Sequence, residues 1–149
     1  MRTVTVRVAD VTVAVGAPAA AVHAYLADPD NRPAWQSSLR RVDAVVEAGG
    51  PPGDVGTTWT DVTLVPGVRP RMRVVESEPP HRWVEVGEWW WVRATLTMTY
   101  APRPDGGTDA RAVAELVVPL PAAPLAHALR LPTPLALAAD LRAAARVLG

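Results

Sequence analysis

Residues 120–130 read LPAAPLAHALR, then Leu131 and a Pro132-Thr133-Pro134 interruption lead into LALAADLRAAARVLG, residues 135–149. In the second part Leu137, Leu141, Ala144, Ala145 and Leu148 recur at the 3.6-residue period, which predicts a long α-helix with one apolar stripe. Asp140, Arg142 and Arg146 lie off that stripe and are expected to face water. Thr133 is placed to cap the helix, with Pro134 at its first position. Proline inside a helix forfeits a hydrogen bond at about 3 kcal/mol, so a break is expected here, with residues 125–131 as a separate short helix. Nearly everything upstream reads as strand, so the long helix must bury its stripe on a sheet.

Working back from the helix, residues 3–15 alternate Val4, Val6, Val8 and then Val11, Val13, Val15. The parity flips at Ala9-Asp10, which predicts one long strand with a bulge there. Gly16-Ala17-Pro18 turns the chain into a short helix over residues 19–28 with Val22, Tyr25 and Leu26 buried, and residues 34–36 add a further helical turn. Strands are predicted over 39–47, 55–65, 68–76, 82–86, 90–100 and 108–118, separated by Gly- and Pro-rich turns, with Gly87-Glu88 and Asp105-Gly106-Gly107 among them. Short connections make such a sheet antiparallel, with one face covered by the helix and the other solvated.

The bulk numbers exclude several classes. At 149 residues the chain is expected to be one domain, and its 49% apolar and 20% charged residues are ordinary for a soluble fold. Fifteen basic residues, all Arg, balance fifteen acidic ones, so no net charge favours nucleic acid or an anionic membrane. The absence of Cys excludes disulfides and thiolate metal sites and fits a reducing, cytoplasmic compartment. Residues 1–30 lack a signal-peptide pattern, and the apolar run near the C-terminus is broken by Pro, His127 and Arg130. Two features stand out: no Phe, yet six Trp between positions 35 and 91, and 16 Pro.

The order of these elements and their turn residues resembles the helix-grip superfamily of START-like and Bet v 1-like (SRPBCC) domains, and within it the polyketide cyclase/dehydrase branch. The resemblance rests on Ala17-Pro18 with Val22, Tyr25, Leu26, Asp28 and Trp35, and on Gly53-Asp54-Val55-Gly56-Thr57 with Trp59. Glu78-Pro79-Pro80 with Arg82, Tyr100-Ala101-Pro102 before Gly106-Gly107-Thr108, and Asp140-Leu141 complete it. It implies an α+β helix-grip fold: a curved antiparallel sheet of about seven strands wrapped around a long C-terminal helix, with two short helices after the first strand. It also implies a single START-like domain over residues 1–149 with an internal, mostly apolar cavity. The superfamily has no universal catalytic motif, so fold alone gives no reaction. His23 replaces a residue that is often aromatic or apolar there, and the Pro pair splits a helix that is usually continuous.

The resemblance turns Trp35, Trp59 and Trp90 inward, and alternation adds Met72, Met98 and Tyr100, with Trp83 on the parity of Glu85. These side chains would clamp a planar ligand; the plainer reading is that Trp fills a core that has no Phe. Trp89 and Trp91 are expected outside or at the turn. Small inward Ala110, Ala112 and Ala114 leave room for a cavity, and Leu125 and Leu129 belong near its mouth. His23 is the foremost acid–base candidate, although a half-exposed helix position is the favoured reading. Asp61 and Glu85 could remove a proton next to a carbonyl if they point inward. Taking Val84 and Val86 as the buried face sends Glu85 into solvent, and that facing is favoured here. His81 and His127 read as surface residues, and three scattered His make no metal site. Arg69, Arg71 and Arg73, with Arg82 and Arg93, read as a solvated face rather than an anion patch.

The expected function is therefore binding of a hydrophobic, aromatic or polycyclic small molecule. Its cyclisation or dehydration would be carried out by His23, Tyr100, Glu85 or Asp61 without a cofactor. The alternative is a non-catalytic carrier or sensor, and a structural or co-chaperone-like role is weaker. No nucleic-acid or membrane partner is expected, and the chain is expected to be a monomer or homodimer. Polar side chains converging inside the cavity would separate enzyme from carrier.

Overall fold

The computed structural model describes residues 2–149. Its strands are β1 (Thr3–Val15), β2 (Leu39–Val46), β3 (Thr58–Thr63), β4 (Arg71–Glu78), β5 (Arg82–Trp89), β6 (Val92–Pro102) and β7 (Thr108–Pro119). They form one antiparallel sheet in the order β1-β7-β6-β5-β4-β3-β2, a meander whose last strand is paired by the first. Helices α1 (Ala19–Ala27) and α2 (Arg32–Trp35) follow β1, and α3 (Ala123–Ala128) and α4 (Pro132–Leu148) end the chain. This is the α+β helix-grip arrangement, with a long C-terminal helix against the sheet.

The apolar stripe of α4 lies where its periodicity puts it. Leu141 and Ala144 are buried, and Leu137, Ala145 and Leu148 pack against the same core as Val22, Leu26, Trp83 and Met98. The helix is broken at the proline pair, but Pro132, not Pro134, takes the first helical position, and Leu131 stands where Thr133 was expected to cap. Thr133 N–H instead donates to Leu129 O at 3.1 Å, tying α4 to the end of α3. Asp140 is not in water: it is buried and accepts from Ser37 N at 3.2 Å and Ser37 Oγ at 2.9 Å. A carboxylate with two donors at the start of a strand connection is cheaper to bury than a bare one, and it anchors α4 over α2.

Two local readings shift. The bulge in β1 falls between Arg7 and Ala9, one residue earlier than the parity suggests, so Val6, Val8 and Ala9 are all buried. Gly87 is not a turn residue. Strand β5 continues to Trp89, and Trp90, with φ of 54°, makes the turn. A side chain at 87 would press on its cross-strand partner Met72, whose Sδ lies 2.7 Å from an added Cβ, so the thioether would have to move aside.

The loop between β2 and β3 clasps the end of α1 through Gly53. This residue has φ of +79°, a Cβ there would collide with Ala27 O, and its carbonyl accepts from Trp83 Nε1 at 2.9 Å. Gly53→Ala adds a left-handed backbone penalty to a backbone clash, for an expected loss of about 1–3 kcal/mol. The midpoint of urea unfolding measures it; an unchanged midpoint would show that the loop does not hold α1.

Candidate functional site

A cavity of about 430 Å³ lies between α2, the first turns of α4 and the inner face of β3–β7. Most of its wall is apolar, from Met72, Trp89, Leu96, Ala114 and Leu137. Four charged side chains reach the remainder, and three of them form a cluster. The cluster is Arg32, Asp61 and Glu85, each nearly fully buried, with Arg32 and Glu85 at 2% exposure; the fourth, Asp140, is held by Ser37.

Arg32 opens α2 directly after the Pro29-Asp30-Asn31 turn, which aims it across the sheet rather than into solvent. Its Nη2 donates to Gln36 Oε1 at 2.7 Å and to Glu85 Oε1 at 3.0 Å. Its Nη1 sits 2.9 Å from Glu85 Oε2, a close ion pair off the hydrogen-bond direction, and its Nε is 4.0 Å from Asp61 Oδ1. The guanidinium also lies over two indoles, with Cζ 5.4 Å from the Trp35 ring and 5.2 Å from the Trp59 ring. Such cation–π contacts strengthen when desolvated. Trp59 Nε1 donates to Asp61 Oδ1 at 2.8 Å and so fixes the second carboxyl.

One guanidinium balances one carboxylate, not two. Burial pushes the pKa of both Asp61 and Glu85 up against the lowering pull of Arg32, and the charge of Asp61 raises Glu85 further. The two carboxyls interact and titrate as a unit, with burial favouring the protonated form of each. Two such carboxyls on one wall can act as an acid and a base together.

The facing favoured for Glu85 is corrected. β5 is buried on both sides: Trp83, Glu85 and Gly87 face inward, while Val84 and Val86 on the outer side are also buried. Across the strands Glu76 and Thr97 flank Val84, and Arg73 and Thr95 flank Val86. Long polar side chains can shade a valine, so burial does not mark the inner face of a central strand.

The other expected site residues divide. Met72 is on the cavity wall. Trp35 and Trp59 point inward against Arg32 rather than forming the open wall. Trp83, Met98 and Ala112 are packed in the core, and Ala114 takes the position beside the void. Trp90 is corrected: at 82% exposure it stands outside the turn, stacked on Trp89 at 5.2 Å, and Trp89 reaches the cavity. Leu125 and Leu129 are corrected too, since α3 turns Ala126 inward and leaves both leucines exposed. The half-exposed reading of His23 gives way to a buried side chain whose ring meets Tyr100 edge-on at 5.4 Å. Burial pushes its pKa down. Tyr100 is buried with no partner for its hydroxyl, and burial with the nearby Glu85 charge raises its pKa far out of reach, so it stays a neutral phenol. Neither His23 nor Tyr100 is on the central cavity wall.

Sequence reasoning missed Arg32, Gln36, Trp89 and Leu137. Arg32 sits in a Pro-flanked turn, where an Arg ordinarily means solvent; its only signal was the three-residue spacing to Trp35. Among the described residues no group of three or more His, Cys, Asp or Glu is placed to hold a metal ion. No described helix is long and apolar enough to cross a membrane.

The family of "polyketide cyclase / dehydrase and lipid transport" proteins matches residues 5–148. The chain belongs to this family. No curated protein shows a significant sequence match. Among solved structures, the chain is similar to a point mutant of norcoclaurine synthase from Thalictrum flavum in complex with a transition-state analogue. The TM-score is 0.74 at 17% identity, covering 99% of this chain and 96% of that one. It is similar to the di-domain ARO/CYC StfQ of the steffimycin biosynthetic pathway, with TM-score 0.74 at 16% identity over 98% of this chain and 50% of that one. A START superfamily protein from Mycobacterium smegmatis gives TM-score 0.74 at 16% identity, covering 97% and 99%. At these identities the likeness shows the shared fold. Membership and fold account for a cavity under α4; the charged wall is a property of this chain's own residues.

Proposed function

We propose that this family member binds a hydrophobic, aromatic or polycyclic small molecule in the central cavity and catalyses proton transfers that cyclise or dehydrate it. The observation that carries the reading is the Arg32–Asp61–Glu85 cluster on an otherwise apolar wall. A carrier gains nothing from burying carboxyls in excess of their one cation, which costs stability, whereas an enzyme gains a paired acid and base. In the cyclisation step the ionised carboxyl takes a proton from a carbon next to a carbonyl. That carbon bonds to a second carbonyl carbon, whose oxygen takes a proton from the protonated carboxyl. Dehydration then removes a neighbouring C–H proton to one carboxyl while the hydroxyl, protonated by the other, leaves as water. Confinement away from water holds the reacting atoms together and suppresses competing hydrolysis. Support also comes from the family and from the similarity to an aromatase/cyclase domain. Carriage of an unaltered ligand is the second reading, favoured by the largely apolar wall and by the lipid-transport members of the family.

The test is a tryptophan-fluorescence titration with polyketide, sterol, fatty-acid and aromatic ligands, followed by mass spectrometry and chromatography of each mixture. Saturable quenching with a cyclised isomer or a product lighter by one water supports catalysis. Saturable quenching with the ligand recovered unchanged assigns a carrier. The same titration separates the paired indoles: Trp89→Ala weakens binding by about tenfold, whereas Trp90→Ala stays near wild type, because only the first removes buried contact area. Equal losses at both positions would place the ligand outside the cavity.

A further inference from the structure

His23, which the central site leaves unused, lines a second cleft. This cleft, of about 420 Å³, opens between α1, the β2–β3 loop and the β4–β5 turn. The side chain is 5% exposed; its Nε2 is 3.5 Å from Ser77 Oγ, and its Nδ1 has no partner. The side walls are apolar and stiff, with Ala20 and Ala24 of α1 on one side and the Pro51-Pro52 and Pro79-Pro80 pairs on the others. Proline pairs have little freedom left to lose, so such a cleft changes little on filling.

The charge of this cleft is one-sided. In a chain with fifteen Arg, none lines it, and its charged residues are Asp28 and Asp54. Each carboxylate uses Oδ1 on a backbone N–H, Asp28 on Asp30 at 3.0 Å and Asp54 on Val55 at 2.8 Å. Among the described residues neither belongs to an ion pair, unlike Asp10, Asp43, Asp105 and Asp109. The last turn of α1 carries no basic residue, so the negative end of its helix dipole lies uncompensated beside Asp28. Anions are disfavoured here, and a cation with an apolar body is matched on both counts.

We propose that this cleft is a second ligand site, separate from the central cavity, for a protonated amine attached to a flat apolar group. The ammonium lies between Asp28 and Asp54, and the flat group lies against the proline pairs. The inner end meets His23, which in its neutral form offers one ring nitrogen as donor and one as acceptor. Of its two ring nitrogens, Nε2 is the one beside a polar group of the cleft lining, Ser77 Oγ; Nδ1 is enclosed.

The probe is 1-naphthylmethylamine, with the uncharged 1-naphthylmethanol as its control, titrated into the ¹⁵N-labelled full chain and followed by NMR. The amine is expected to shift the amides of Ala24, Asp54 and Ser77 and the ring nitrogens of His23 saturably, and the alcohol to bind more weakly. Asp28→Asn with Asp54→Asn, which keeps both backbone contacts, lowers amine affinity by about fivefold or more. Leu137→Trp fills the central cavity and leaves this binding unchanged, so the result does not depend on the function proposed for that cavity. Equal affinity for amine and alcohol overturns the proposal. So do shifts that vanish in Leu137→Trp, an unchanged affinity in the Asn variant, or no shift at this cleft at millimolar amine.

Discussion

Arg32→Met lowers the stability of the folded protein by about 3–5 kcal/mol at pH 7, the cost of leaving buried charge without its partner. The side chain removed is the only cation among Arg32, Asp61 and Glu85, and methionine keeps much of its volume between Trp35 and Trp59. The sign of the pH dependence follows from the carboxyls. Both have folded-state pKa values above their ordinary ones. The folded protein therefore binds more protons than the unfolded chain in this range, and stability falls as pH rises through the raised values. Their favourable contribution is complete only below the ordinary carboxyl range near pH 4. Without Arg32 those pKa values rise further, so the variant loses most at neutral pH and approaches wild type on acidification. Urea unfolding at pH 7 and pH 4.5, followed by tryptophan fluorescence, measures the difference. A deficit equal at both pH values would mean that Arg32 acts by packing alone. Adding Glu85→Gln to Arg32→Met restores part of the loss at pH 7, because it removes one of the uncompensated charges.

Glu85→Gln lowers kcat/KM for the cyclisation or dehydration by about 10²–10⁴-fold, the usual contribution of a positioned acid or base. The amide keeps the shape and one acceptor for Arg32 but can neither take nor give the proton. Ligand affinity, read by fluorescence, changes far less, because the amide preserves the wall that the ligand touches. The wild-type profile of kcat/KM against pH is bell-shaped, with its two limbs belonging to the Asp61–Glu85 pair as a unit. One limb is lost in Glu85→Gln, and the same is expected of Asp61→Asn. Turnover unchanged by either substitution would leave the charged wall without a catalytic role and move the reading to carriage. Tyr100→Phe is the contrasting variant: its hydroxyl is buried without a partner and off the cavity wall, so its loss leaves kcat/KM close to wild type.

Periodicity and turn chemistry determined the frame of this protein. A stripe recurring every 3.6 residues can bury itself only on a neighbouring layer. The alternating strands with short turns form an antiparallel sheet, which is why α4 and β6 lie close to where residues 137–148 and 90–100 put them. The proline pair set the break before α4 for a similarly local reason, a missing donor. What failed in the sequence reading failed where burial comes from more than one layer. The helix stripe placed Asp140 in water because it sees one helix, but Ser37 of another segment supplies the two hydrogen bonds that make its burial tolerable. Alternation along β5 sent Glu85 outward because Val84 and Val86 looked like the covered face; in this central strand the outer valines are shaded by Glu76, Thr97, Arg73 and Thr95 of the neighbouring strands. Trp90 and Trp89 exchanged roles because the turn came at Trp90 instead of Gly87, and a shift in turn position moves every neighbouring side chain to the opposite face. Arg32 was invisible for the same reason on a larger scale. Its partners lie 29 and 53 residues away along the chain, and no local pattern marks a side chain whose environment is assembled from three elements. Composition and period therefore determined a helix packed on an antiparallel sheet, and the resemblance implied the curved grip around it. Only the tertiary structure brought one cation and two carboxylates onto the wall of the space between them, because electrostatic balance in a buried site depends on through-space distance rather than on position in the chain.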